Sequence, residues 1–322
     1  MTALKIGVVG AGAMGSLFGG YLSAGGNEVW LVDKWGEHVR AIQRRGLVIV
    51  EQSGDETSGD EEAGNETVCR PRAVERAAGV GVCDLVFVFV KSYDTASATH
   101  QVAALLDSKT VVVTLQNGLG NREALESRVP AHQILVGVTG QAANVLGPGR
   151  IHHAGSGETI LCEIDGSSSE RVCRVAGALN RAGLATSIGA NVHAVVWGKV
   201  LINAAINPMT ALLGVRNGLL LRIPSALEVM KSAIDEIVEV ARVRGIALPY
   251  DDPWEKVLDV ARLTGDNRSS MLQDVEAGRG TEIDAINGAV AKEAADRGVP
   301  APVNLTLTRL IKAIEARAGL RG

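Results

Sequence analysis

Gly10-Ala11-Gly12-Ala13-Met14-Gly15 stands between two stretches of different character. Before it, Lys5-Ile6-Gly7-Val8-Val9 reads as a short buried strand; after it, Met14 to Ala24 reads as a helix. The glycines therefore fall in a strand-to-helix turn. Gly10 permits the tight turn, Gly12 lets backbone approach a pyrophosphate, and Gly15 allows close helix–strand packing. Free N–H groups at the start of a helix favour a phosphate anion. With 38 glycines among 322 residues, the spacing alone could be a βα turn with no ligand. Its place between strand and helix is what makes residues 10–15 a dinucleotide site.

An acid 18 residues past Gly15 strengthens the reading. Asp33 ends a second apolar strand, Glu28-Val29-Trp30-Leu31-Val32. A carboxylate there accepts hydrogen bonds from the adenosine ribose and repels a 2′-phosphate, which favours NAD(H) over NADP(H). Lys34 follows directly and offsets part of that repulsion.

Strand and helix patterns continue to alternate. A helix is expected over 37–45, ended by Gly46, and Leu47–Val50 with Thr67–Arg70 form a hairpin. Asp84-Leu-Val-Phe-Val-Phe-Val90 is nearly continuously apolar, as a strand buried on both faces should be. A helix from Thr95 to Leu106 leads to the strand Thr110–Thr114, and another helix leads to Ile134–Val138. Residues 141–163, with Gly147-Pro148-Gly149 between β-like runs, look like added antiparallel strands, and Leu184–Ile188 like a last strand. This is the pattern of an α/β fold, a Rossmann-type doubly wound sheet. From residue 192 the apolar spacing becomes helical over 192–213, 224–244, 252–264, 268–277, 282–297 and 303–318. The expected organisation is a dinucleotide-binding domain over 1–190 and an all-helical substrate domain over 191–322. The latter should cover the crevice at the carboxyl ends of the strands.

Composition narrows the function classes. Aromatics make up only 3% of the chain, and no basic stripe carries interleaved aromatics, so nucleic acid is not an expected partner. No apolar run reaches about 18 residues without a charge or turn signal, so no membrane span is expected. Cys69, Cys83, Cys162 and Cys173 show neither CxxC spacing nor a histidine partner pattern, pointing to a reduced cytoplasmic protein with no metal site. The net charge of −4 is uneven. Residues 51–66 carry seven acids and no base, leaving the rest of the chain at +3. That insertion reads as a solvated loop or an elongated hairpin tip.

Candidate chemistry collects at two places. Lys91 and Asn117 each follow a buried strand, where a cofactor in such a sheet must lie, although Asn117-Gly118 is also an ordinary turn pair. In the helical half, Lys199, Asn203 and Asn207 recur every fourth residue within Trp197-Gly-Lys-Val-Leu-Ile-Asn-Ala-Ala-Ile-Asn-Pro208. Each four-residue step overshoots a full turn by about 40°, so the three form one polar stripe on an apolar helix. Such groups need partners, either a polar ligand or neighbouring helices. Pro208 should kink this helix and leave carbonyls accessible. Farther on, Thr281 and Asp284 read as a capping box that would put Glu282 in the first turn of a new helix. There it could equally be a surface acid.

Lys199-x3-Asn203-x3-Asn207-Pro208, Asn217-Gly218, Ser269-Ser270-Met-Leu-Gln-Asp274 and Thr281-Glu-Ile-Asp-x-Ile-Asn-Gly288 together resemble the ketopantoate reductase family. The resemblance spans the chain and implies NAD(P)H-dependent reduction of 2-dehydropantoate to pantoate, on the route to coenzyme A. It implies Lys199 as proton donor, Asn203, Asn207, Asn217 and Ser270 at the substrate, and Asn117 at substrate and cofactor. Lys91 and Glu282 would line the cofactor side, with Ala143 giving it a backbone contact, and Glu282 would act with Lys199 in catalysis. The family's usual cofactor is NADP(H), against which Asp33 stands as a departure; the acidic insertion is another. A D-2-hydroxyacid dehydrogenase of mandelate type on the same scaffold, and a non-catalytic dinucleotide sensor, are the alternatives. The expected partner is a small 2-oxo acid, and the helical half leaves room for a homodimer.

Overall fold

The computed structural model describes residues 3–51 and 65–319, which fall into two compact units. The first comprises Met1–Gln116 and Asn121–Val192, the second Asn117–Gly120 and His193–Gly322.

In the first unit the chain runs β1 (Lys5–Val9), α1 (Ala13–Ala24), β2 (Glu28–Val32), α2 (Gly36–Arg45), β3 (Leu47–Glu51), β4 (Glu66–Cys69), β5 (Arg72–Val74) and β6 (Leu85–Val88). It continues through α3 (Thr95–Ala103), β7 (Val111–Thr114), α4 (Asn121–Glu126), β8 (Ile134–Thr139), β9 (Ala142–Gly147), β10 (Arg150–Gly155), β11 (Thr159–Cys162), α5 (Glu170–Arg181) and β12 (Thr186–Ile188). The main sheet has the order β12-β11-β8-β7-β6-β1-β2-β5. Its pairs from β5 to β8 are parallel, and β11 enters antiparallel to β8. β6 and β7 are buried along their whole length, which is why their sequences are unbroken runs of Val, Leu and Phe capped by one Thr.

The expected hairpin forms, with β3 antiparallel to β4, and most of the acidic insertion, residues 52–64, lies outside the described residues. β10 then joins β3 in parallel, giving a second sheet of order β4-β3-β10-β9. The strands expected over 141–163 are therefore divided between the two sheets. Helix α1 meets both sheets through glycine: a Cβ at Gly19 would collide with Leu31 of β2, and one at Gly20 would come within 2.7 Å of Ile49 of β3. Two elements go beyond the sequence expectation. β5 is only three residues long, and α5 follows Ser169, whose hydroxyl accepts from the Val172 N–H.

The second unit contains α6 (Val192–Leu213), α7 (Pro224–Val243), α8 (Pro253–Leu263), α9 (Ser270–Glu276), α10 (Asn287–Ala295) and α11 (Pro302–Gly319). Helix α6 is long and apolar enough to cross a membrane, yet 78% of its apolar window is buried inside the protein, where it forms the axis of this unit's core.

Two local expectations are corrected. Helix α10 begins at Asn287, so Glu282 lies in the turn before it rather than in a first helical turn. The capping box does not form because its parts are taken elsewhere. The Thr281 N–H donates to Glu315 Oε1 at 2.7 Å, and Asp284 pairs with Lys312 at 2.6 Å. Nor does Pro208 leave the Ala204 carbonyl accessible. It removes the N–H that would serve Ala204, and Asn287 Nδ2 donates to that carbonyl at 3.0 Å in a buried setting.

Candidate active site

The glycine turn has the form a dinucleotide requires. Gly10 has φ +95°, and a Cβ there would press on the backbone of Phe89 and Val90. A Cβ on Gly15 would overlap the Gly10 carbonyl oxygen. At Gly12 the same atom would meet nothing, so the chain leaves open the side from which a pyrophosphate must approach. Gly12 is also the N-cap of α1 and offers no side chain to the first-turn N–H groups. These N–H groups and the open face fit a dinucleotide phosphate. Ala11, Ala13 and Met14 complete the turn, Ala11 fully buried and the other two half-buried.

Asp33 is half-buried at the end of β2 and braces this turn. Its Oδ2 accepts from the Ala11 N–H at 2.6 Å, and its Oδ1 accepts from the Trp35 N–H at 2.8 Å. Each oxygen keeps a lone pair for a further donor. Lys34 extends to Asp94 at 2.9 Å with most of its side chain exposed, and that pairing raises its pKa.

At the ends of the central strands, Gln116 Nε2 donates to the Val90 carbonyl and to Thr95 Oγ1, both at 2.7 Å. This fixes the segment from which half-buried Lys91 emerges. Ala143, on β9, is paired with His153 of β10. His153 in turn bonds Gln141 Oε1 at 2.8 Å and Glu51 Oε2 at 2.9 Å, holding the start of β9 in place.

The second unit assembles the other candidates. Gly118 has φ +87° and sits against Ala285, whose carbonyl accepts from the Leu119 N–H at 2.8 Å. This docking carries Asn117 into the helical unit. Its Nδ2 donates to Glu282 Oε2 at 3.3 Å, and its Oδ1 accepts from Asn203 Nδ2 at 3.3 Å. Asn203 and Glu282, 8% and 7% exposed, are thus joined through one amide. Because a carboxylate can only accept, Glu282 fixes which way Asn117 points. Asn117 then fixes Asn203.

Lys199 and Asn207 share the stripe with Asn203. Neither side chain makes a hydrogen bond or ion pair among the described residues, and neither has an enclosed unpaired atom. Lys199 retains some accessible surface, but protein crowds it enough that desolvation lowers its pKa below that of an ordinary lysine. Burial is the whole cause.

The remaining candidates are less open. Asn217 is 7% exposed, with its N–H on the Asn267 carbonyl and its Nδ2 on Thr264 Oγ1 at 2.9 Å; its Oδ1 is enclosed without a donor. Ser270 is exposed at the start of α9, whereas Ser269 is buried and caps that helix by accepting from the Leu272 N–H. Sequence reasoning passed over Gln116, His153 and Ser269, since each acts only through chain segments distant in sequence or through a cap.

The sequence matches the ketopantoate reductase PanE/ApbA family over residues 6–166 and its C-terminal region over 191–315. A 2-dehydropantoate 2-reductase of Halobacterium salinarum is 38% identical, covering 96% of this chain and 98% of its own. One from Archaeoglobus fulgidus is 34% identical, covering 98% and 99%. Among solved structures, a PanE/ApbA family ketopantoate reductase from Ralstonia eutropha superposes with a TM-score of 0.87 at 30% identity, covering 98% of this chain and all of that one. D-mandelate dehydrogenase in ternary complex with NADH and anilino(oxo)acetate gives the same TM-score, identity and coverage. The chain belongs to the ketopantoate reductase PanE/ApbA family.

Proposed function

We propose that this protein reduces 2-dehydropantoate to pantoate, on the route to pantothenate and coenzyme A, with Lys199 as proton donor. The observation that carries this reading is the state of Lys199: an ammonium crowded by protein, with no partner among the described residues, on one stripe with two asparagines. A cation kept in that condition costs stability unless a ligand uses it. The bound dinucleotide supplies hydride to the C2 ketone of the substrate. Lys199 hydrogen-bonds the ketone oxygen, stabilises the growing negative charge, transfers its proton to form the hydroxyl, and is recharged from solvent. Asn203, Asn207, Asn217 and Ser270 orient the carboxylate and hydroxyl of the oxo acid. Asn117 serves both ligands. Residues 10–15, Asp33, Lys91, Ala143 and Glu282 serve the cofactor.

For the cofactor we propose NADH over NADPH. Asp33 is tied to two backbone N–H groups and cannot swing away, while Lys34 is directed to Asp94. The same feature, with the likeness to D-mandelate dehydrogenase, supports a second reading as a D-2-hydroxyacid dehydrogenase. Initial rates with 2-dehydropantoate and a panel of branched and aromatic 2-oxo acids, each with NADH and NADPH, test both. Highest kcat/KM for 2-dehydropantoate supports the first reading. An aromatic oxo acid turned over faster establishes the second, and dinucleotide binding with no turnover would leave a sensor.

A further inference from the structure

We propose that His38, together with Ser16, is a positioning residue for the dinucleotide turn. The inference rests on the reading of residues 10–15 as that turn. Both residues are fully buried, and neither belongs to the glycine motif. His38 lies on α2, flat against Trp35 with ring centroids 4.7 Å apart. Its Nδ1 accepts from the Gly149 N–H at 3.0 Å, so in the neutral ring the hydrogen must sit on Nε2. Nε2–H therefore donates to Ser16 Oγ at 3.0 Å. The Ser16 hydroxyl, having accepted that bond, donates to the Ala11 carbonyl at 2.8 Å.

A directional chain thus runs from the β9–β10 turn through imidazole and hydroxyl to the peptide between Ala11 and Gly12. Burial of His38 lowers its pKa, which keeps the ring in the neutral form the chain needs. The other end of the Ala11 residue is held as well, its N–H on Asp33 Oδ2 at 2.6 Å. Ala11 is thereby fixed at both its donor and its acceptor, beside the open face of Gly12. A turn fixed in this way meets the pyrophosphate without first losing conformational freedom, so the chain raises dinucleotide affinity without touching the ligand.

The experiment measures NADH and NADPH dissociation constants of the full-length protein by calorimetry, alongside steady-state kinetics and thermal melts. Ser16→Ala and His38→Ala should each raise the dissociation constant about fivefold, the scale of one buried hydrogen bond. With dinucleotide saturating, kcat and the KM for oxo acid should stay within about twofold. The double variant should bind within about twofold of the weaker single, because both residues act on one path. His38→Gln, whose amide N–H reaches the Nε2 position, should restore affinity; His38→Asn, which can serve only Gly149, should not. Ser16→Ala, which removes a single oxygen, keeps the test open where His38→Ala fails to fold. Unchanged affinity in Ser16→Ala and His38→Asn would overturn the proposal. So would equal weakening in the Gln and Ala variants of His38, which would mark a merely structural role. A protein that binds neither dinucleotide overturns the reading of the glycine turn itself.

Discussion

Asn117 donates to Glu282 at 3.3 Å although 165 residues of chain separate them, and its other amide atom accepts from Asn203. An anion at one end therefore sets the orientation of two amides in series. Replacing Glu282 by Gln keeps the shape but lets the terminal group donate as well as accept. Glu282→Gln should lower kcat/KM for the oxo acid by about tenfold, the cost of one misoriented polar contact of ~1.4 kcal/mol. The melting temperature should barely move. A variant with wild-type kinetics would show that the series does not orient substrate.

Removing the proposed acid is more severe. Lys199→Met should reduce kcat by at least ~10²-fold, the usual scale for a positioned acid, with dinucleotide affinity retained. More than half of wild-type turnover in this variant would exclude Lys199 from proton transfer.

The same lysine sets a pH dependence. With Lys199 as the proposed proton donor, reduction requires its ammonium, so kcat should fall as pH rises through a pKa below the ordinary lysine value near 10.5. Oxidation of the hydroxy acid requires the free amine and should rise over that window. Stability follows the same shift: between the lowered pKa and the ordinary one, the unfolded chain binds the extra proton. The charged form is thus penalised in the fold at neutral pH, and the penalty disappears as pH climbs past the ordinary value. Lys199→Met should accordingly melt no lower than the wild type at pH 7, with the difference shrinking toward pH 10. Melts across that range are the check.

Cofactor choice turns on the relative strength of two contacts. The Lys34–Asp94 pair is exposed and worth no more than about 1 kcal/mol, so a 2′-phosphate could recruit Lys34 at small cost. Asp33 cannot be displaced as cheaply, because it holds Ala11 and Trp35. We expect higher kcat/KM with NADH than with NADPH in the wild type. Asp33→Ser should reverse the preference while weakening both dinucleotides, since the Ala11 N–H loses its acceptor. A tenfold wild-type preference for NADPH would show that Lys34 or an arginine prevails.

The bond from Asn287 to Ala204 predicts a conditional effect. Asn287→Ala leaves that carbonyl buried without a donor, which costs about 1–3 kcal/mol and should lower the melting temperature by several degrees. Pro208→Ala restores a backbone N–H for the same carbonyl. In that background the Asn287→Ala loss should be clearly smaller; an equal loss in both backgrounds would refute the compensation.

Much of the fold was legible because its signals are local. β1, the glycine turn and β2 carry their periodicity within thirty residues, and the apolar runs of β6 and β7 announce strands buried on both faces. What could not be read were pairings between distant segments. Nothing in Leu47–Glu51 announces that β10 will lie beside it, and three-residue β5 is too short for any period. Helix α5 is different: Val172, Val175, Ala176 and Leu179 carry helical spacing and are buried, so its signal was present. At the site, the stripe of Lys199, Asn203 and Asn207 follows from spacing alone. The turn at Glu282 does not, because Glu315 and Lys312 compete for the groups of the apparent capping box.

Four residues, Asn117–Gly120, belong to the helical unit although the chain on either side of them belongs to the other. The polypeptide thus passes between units three times, at 116/117, 120/121 and 192/193. A single cut at residue 192 cannot release a self-sufficient helical half: the Ala285 carbonyl would lose Leu119, and Glu282 would lose Asn117. Exchanging the sheet-bearing unit between relatives therefore requires carrying this short loop with its helical host.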